Sequence, residues 1–203
     1  MAQPPKGMGK SDADAKKILD EVSAKFKAYK SVKASFSLKI ENGAGKSMGN
    51  KTGTVSMKGV KYRISANGQD IFCDGSNIWT YEKASNEVTI NKIDPTANSI
   101  TPQKLFTNFY DKDFLYKLNG TVKMNGKNTQ EIELTPVDKS KPFFKVLVYV
   151  DKGTIVTTKV FEKTGNKFTY SISNMKTNDK TMGDDVFVFD AKKYPGVEVV
   201  DLR

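Results

Sequence analysis

The chain contains no histidine, which removes the commonest general base, the His-dependent triads and most zinc sites. The remaining residues with chemical potential are few. GAGKS at 43–47 resembles the end of a phosphate-binding loop, but the earlier glycine that such a loop requires falls at Ile40. The segment also lies between two strand-like runs, so it reads as a hairpin loop. Lys163-Thr-Gly165 and Ser173-Asn-Met-Lys176 share motifs with penicillin-recognising enzymes, yet in the wrong order and without the third motif. The close carboxylates are Asp111 with Asp113, and Asp184 with Asp185. None has calcium-loop spacing, which leaves turn or capping roles. The lone Cys73 sits in an apolar strand segment, where a thiol behaves as a small buried hydrophobe rather than a nucleophile, and it has no disulfide partner within the chain. No cofactor or metal is expected, and an enzyme built on these residues would need an unusual site.

The elements that must position these residues are strands. Residues 70–93, DIFCDGSNIWTYEKASNEVTINKI, hold three short apolar segments separated by Asp74-Gly75 and by a polar run. They read as consecutive antiparallel strands joined by tight turns. The sole tryptophan, Trp79, lies in their middle and marks either a core or the wall of a pocket. Val and Ile, 17 and 11, far outnumber the 8 Leu, as expected where β-branched side chains cover a pleated surface.

Taken in order, residues 1–10, with four Pro and Gly, read as a disordered leader, and 11–203 as a single domain. Ser11 followed by Asp14 suggests a capping box. Ala15, Ile18, Leu19, Val22, Phe26 and Tyr29 then recur at helical spacing, which predicts an amphipathic helix over 12–30. Its stripe either packs on a sheet or binds a membrane. From Ser31 the period changes to two, Phe36, Leu38 and Ile40 alternating with Ser37 and Lys39, so a strand follows at once, and the polar, glycine-rich run at 41–51 reads as a loop.

Strands are predicted at 53–58, 61–66, 114–118, 122–124, 130–134, 144–150, 155–161, 167–173, 187–189 and 197–200. Two prolines interrupt the pattern between 94 and 102, and QKLFTNFY follows Pro102 as a short helix with Leu105, Phe106 and Phe109 on one face. Such a helix, about two turns long, must lean on other structure. It is either a lid or a plug at one end of the core. About ten or eleven strands in one sheet would curl.

The charge of +10 rests on 33 basic residues against 23 acidic ones. Only Arg63 and Arg203 are arginines, and the lysines alternate with apolar residues as solvated strand faces do. That pattern argues against nucleic acid, whose recognition leans on the guanidinium fork. The apolar runs are too short for a transmembrane helix, and the first residues lack the features of a signal peptide.

Several segments together resemble the periplasmic outer-membrane lipoprotein carrier proteins, the LolA family. They are SAKFKAYKSVKASFSLKI, GTVSMKGVKYRIS, DIFCDGSNIWTYEKASNEVTI, TPQKLF and FVFDAKKYPGVEVVD, in family order. The more specific parts are Asp74-Gly75 with Trp79 and Tyr81, and Phe187, Phe189, Pro195, Gly196 and Val197. The resemblance implies a mainly β fold (α+β): an unclosed antiparallel barrel covered by the N-terminal helix and short lid helices. Its apolar concave face would hold lipoprotein acyl chains in transit between the membranes.

By the same resemblance, the chain is a monomeric, non-enzymatic carrier of the periplasm, its signal peptide removed. It would take acylated lipoproteins from an inner-membrane lipoprotein-releasing transporter to an outer-membrane acceptor. Phe36, Leu38, Met57, Ile64, Trp79, Leu105, Phe106 and Phe109 are the expected lining or lid residues, ordinary core packing being the alternative for each. Many family members carry Arg-Pro where this chain has Gly59-Val60. The lid-closing role of that arginine does not carry over, and Arg63 is the candidate substitute for lid hydrogen bonding. The rival readings are a binding module for another apolar ligand, and a sensor domain that uses the same scaffold to contact protein.

Overall fold

A computed structural model describes residues 11–93, 113–124 and 126–203. Among them are one α-helix, α1 (Ala13–Ala28), and twelve strands. These are β1 (Val32–Glu41), β2 (Ser47–Lys58), β3 (Lys61–Ala66), β4 (Gln69–Cys73), β5 (Asn77–Glu82), β6 (Glu87–Lys92), β7 (Phe114–Met124), β8 (Lys127–Pro136), β9 (Phe143–Asp151), β10 (Thr154–Glu162), β11 (Lys167–Thr177) and β12 (Glu198–Asp201). Short 3-10 helices at Asp184–Phe187 and Ala191–Lys193 precede β12. The strands form one sheet in the order β12-β6-β5-β4-β3-β2-β1-β11-β10-β9-β8-β7. It is unclosed, since β12 and β7 each pair on one side only. Strands β2 to β6 and β7 to β11 pair antiparallel with their chain neighbours, whereas β12 lies parallel to β6. The mainly β, unclosed architecture expected from the sequence is therefore present.

Four local departures have simple causes. Asp12, not Ser11, caps the helix: its Oδ1 accepts from the Asp14 amide at 2.8 Å. The strands expected separately at 114–118 and 122–124 are one strand, β7, with a bulge between them, because Gly120 takes φ 113° and lets the strand continue past the register shift. Residues 47–51 are strand rather than loop. Their side chains are nearly all exposed, and backbone pairing needs no apolar signal. Phe187 ends a 3-10 turn instead of lying in a strand; Asp184 at the start of that turn is held by Lys58 Nζ at 2.9 Å and Lys61 Nζ at 2.6 Å.

The described residues divide into two compact units, 11–28, 37–50, 113–124 and 126–172 forming one and 29–36, 51–93 and 173–203 the other. In the first, Ala15, Ile18, Leu19 and Val22 of α1 are buried against Tyr116, Ile132, Leu134, Val146 and Val148. The cross-strand pairs Tyr116–Leu134, Leu134–Val146 and Ile132–Val148 put those sheet residues on one face. The helical stripe thus packs on the sheet. Each large apolar side chain removed from water there contributes roughly 1.5–3 kcal/mol. Asp12 ties the helix start to β7, since its Oδ2 accepts from the Leu118 amide at 3.1 Å and its own amide donates to the Tyr116 carbonyl at 2.9 Å. At the other end, Lys25 Nζ donates to the Lys152 carbonyl at 2.6 Å.

Candidate functional site

In the second unit, strand register decides which side chains share a surface. Tight turns set that register. Between β4 and β5 the Asp74 Oδ1 accepts from the amides of Ser76 and Asn77 at 2.8 and 2.7 Å, and Gly75 adopts φ 97°. The resulting rows run Met57–Tyr62–Cys73–Ile78 and Val55–Ile64–Ile71–Thr80 across β2 to β5. Since alternate residues point to opposite faces, these two rows line one face. The next rows, Ser56–Arg63–Phe72–Trp79–Ile90 and Thr54–Ser65–Asp70–Tyr81–Val88, line the other.

The two faces differ in what covers them. The Trp79 face is filled by the chain's own C-terminal segment. Phe72, Trp79, Tyr81, Val88 and Ile90 are buried with Phe189, and Tyr194 and Val197 pack against them. Phe189 meets Phe72 edge-on at 5.7 Å between ring centroids and stacks on Tyr194 at 4.5 Å. Asn86, at φ 51°, clamps the return: its side chain accepts from the Tyr81 hydroxyl and donates to the Pro195 carbonyl, while its backbone carbonyl accepts from the Glu198 amide. Arg63 belongs to this face. Its guanidinium lies 4.5 Å from the Phe72 ring centroid and pairs with the buried Asp70 at 3.2 Å, which Lys83 approaches from 3.3 Å.

The opposite face is apolar and partly open. Val55, Met57, Tyr62 and Cys73 are buried, whereas Ile64, Ile71 and Ile78 keep part of their surface accessible. Phe36 joins it from β1, its ring end lying 2.6 Å from where a Cβ on Gly53 would stand. The field ends at β6, whose residues of the same parity are Glu87, Thr89 and Asn91. The two rows Met57–Tyr62–Cys73–Ile78 and Val55–Ile64–Ile71–Thr80 carry no charge at neutral pH, and the carboxylates of the same parity, Glu82 and Glu87, stand one row beyond them. Burial pushes the Tyr62 phenol up to about 12 and raises the Cys73 thiol, so both remain protonated. These two rows can hold hydrocarbon and contain neither a carboxylate, an amine nor an activated nucleophile. Among the described residues, no group of three or more His, Cys, Asp or Glu could hold a metal ion. Nor is any helix long and apolar enough to cross a membrane.

Of the residues singled out in the sequence, Phe36, Met57 and Ile64 thus come together on the open face. Leu38 is half-buried and shares the strand parity of Phe36 on β1. Trp79 and Arg63 lie on the covered face. Leu105, Phe106 and Phe109 lie outside the described residues. Sequence reasoning did not single out Val55, Ile71 and Ile78. The signal was available: once Ile64 is chosen, the tight turn at Asn67-Gly68 pairs it with Ile71.

The sequence profile described as outer membrane lipoprotein carrier protein LolA matches residues 27–190. No curated protein sequence matches significantly. Among solved structures, an uncharacterized conserved protein from Thermus thermophilus is similar at 12% identity and TM-score 0.61, over 93% of this chain and 99% of that one. The Mycobacterium tuberculosis lipoprotein LppX is similar at 12% identity and TM-score 0.52, over 85% and 99%. A LolA superfamily protein from Nitrosomonas europaea matches at 14% identity and TM-score 0.45, over 87% and 98%. At such identities the structural likenesses speak to the fold alone.

Proposed function

The chain belongs to the outer membrane lipoprotein carrier protein family, LolA, and from that premise we propose that it carries lipoprotein acyl chains across the periplasm. The family is one of carrier and binding proteins rather than enzymes. The observation that supports the reading here is the pair of uncharged, mainly apolar rows across β2 to β5, with Ile64, Ile71 and Ile78 partly open. Each methylene moved from water into an apolar site gains about 0.8 kcal/mol, so acyl chains cannot cross water unsheltered. Phe36, Met57 and Ile64 are the proposed contacts, joined by Val55, Ile71 and Ile78.

Handover requires that uptake be reversible. Leu105, Phe106 and Phe109 are proposed as the lid that competes with cargo for the apolar face, so that closing the empty site lowers net affinity. An inner-membrane transporter would load the carrier, and an outer-membrane acceptor would unload it. A second reading, a binding protein for another apolar ligand, draws on one observation. Gly59-Val60 stands where many family members have Arg-Pro, and Arg63 is engaged with Asp70 on the covered face.

The test adds purified protein to spheroplasts carrying newly matured lipoproteins. Carriage predicts a soluble one-to-one complex that forms only when the protein is present. No release, combined with stoichiometric binding of an apolar fluorescent probe, assigns the face to another ligand. Failure of both rejects the binding role.

A further inference from the structure

The first compact unit ends in three neighbouring turns, at 42–46, 137–142 and 163–166. The Lys163 amide donates to the Pro142 carbonyl at 2.9 Å, and its ammonium donates to the Lys139 carbonyl at 2.5 Å. The first and third turns touch at their glycines, a Cβ on Gly165 falling 3.2 Å from the Gly43 Cα. Lys167 pairs with Glu41 at 3.1 Å across the same junction.

This end exposes large apolar side chains that the fold does not use. Val137 is 53% exposed, Phe144 49%, and Met48, at the start of β2, 63%. Phe144 leans on Phe161, with ring centroids 6.3 Å apart, and the Lys145 ammonium covers the Phe161 ring at 4.7 Å. Around them stand Lys46, Lys139, Lys141, Lys145, Lys163 and Lys167, against Glu41, Asp113, Asp138 and Glu162. Three of these four carboxylates are occupied internally. Glu41 pairs with Lys39 and Lys167, Asp138 accepts from the Ser140 amide, and Glu162 accepts from the Thr164 hydroxyl.

We propose that this end docks on the anionic surface of a lipid bilayer, with Phe144 and Val137 entering the headgroup boundary and the lysines meeting lipid phosphates. Separate apolar tips ringed by lysine suit that boundary, because the long stems can bury while their ammoniums stay at the phosphate level. A protein partner would favour arginine, and this end has none, its cations all being lysines. The assignment uses no residue of the β2 to β5 face and stands whether or not that face carries acyl chains.

Sedimentation of the full chain with vesicles tests it. Vesicles of phosphatidylethanolamine and phosphatidylglycerol, in a ratio of about 7:3, should retain the protein. Pure phosphatidylcholine vesicles should not, and salt should release it. Phe144→Ser combined with Val137→Ser should lower partitioning about tenfold or more. Lys46→Gln and Lys141→Gln, which leave the turn hydrogen bonds of the tip in place, should each lower it about fivefold. Lys17→Gln on α1 should change nothing.

Absence of phosphatidylglycerol-dependent binding overturns the proposal, as does binding that the tip variants leave intact. So does tip-dependent binding to a polyglutamate peptide without vesicle binding, which would assign this end to an acidic protein.

Discussion

The ring of Phe36 occupies the space that a side chain on residue 53 would need. A Cβ built on Gly53 lies 2.6 Å from Phe36 Cζ and closer still to the Ser65 carbonyl oxygen. Gly53→Ala should therefore cost about 1–3 kcal/mol, the range for forcing atoms into packed space. Urea denaturation measures it. An unchanged midpoint would mean that the ring yields freely, and then the proposed ligand face is plastic at its β1 edge.

The two faces of β2 to β5 should separate binding from stability. Ile64→Ser and Ile71→Ser remove half-exposed apolar surface, so each should weaken binding of an apolar probe by about 1–2 kcal/mol while costing little stability. Trp79→Ala should behave inversely. It leaves a cavity among Phe72, Tyr81 and Phe189, costs about 3–5 kcal/mol of stability, and leaves probe affinity nearly unchanged where the protein is still folded. Probe titration and denaturant melts on the same samples decide it.

Asp12 should make stability acid-sensitive through the backbone amides its carboxylate accepts from. The Leu118 and Asp14 amides, from which it accepts, hold its carboxyl below the ordinary value of 3.8. A depressed folded-state pKa stabilises above the unfolded value, and that contribution is lost as pH falls through the folded pKa, below 3.8. Asp12→Asn keeps a good helix cap but has one acceptor oxygen, so it cannot serve both the helix and Leu118. The variant should melt lower than the parent at neutral pH, with the gap closing as the pH is taken below 3.8. Parallel melts at both pH values would show it; a gap independent of pH would reject the assignment.

Cys73 should be inert in the folded state. It is 1% exposed, burial raises its thiol pKa, and its sulfur lies 3.9 Å from the Val60 carbonyl oxygen. A chromogenic disulfide reagent at mildly alkaline pH should react only as fast as the protein opens, and at once in denaturant. Rapid native reaction would show that this part of the apolar face opens locally.

Much of this protein was legible from local pattern. The amphipathic stripe Ala15, Ile18, Leu19 and Val22 packs on the sheet, and the strands from Asp70 to Ile90 follow their alternation and the Asp74-Gly75 turn. The absence of histidine already set aside most acid–base chemistry. These are properties of residue type and near spacing, which sequence carries directly.

What only the tertiary structure decided is which face each strand residue serves. Trp79 and Ile78 are neighbours in sequence, yet one is sealed beneath Phe189 and Tyr194 and the other belongs to the open face. Alternation states that neighbours point apart but not which direction is covered. Here the covering comes from residues more than a hundred positions later, held by the parallel pairing of β12 with β6. The register of β3 on β4 likewise brings Arg63 to Phe72 and Asp70 on the sealed side. Sequence determined the strands and their apolar residues; contacts distant along the chain determined which of those residues remain available to a ligand.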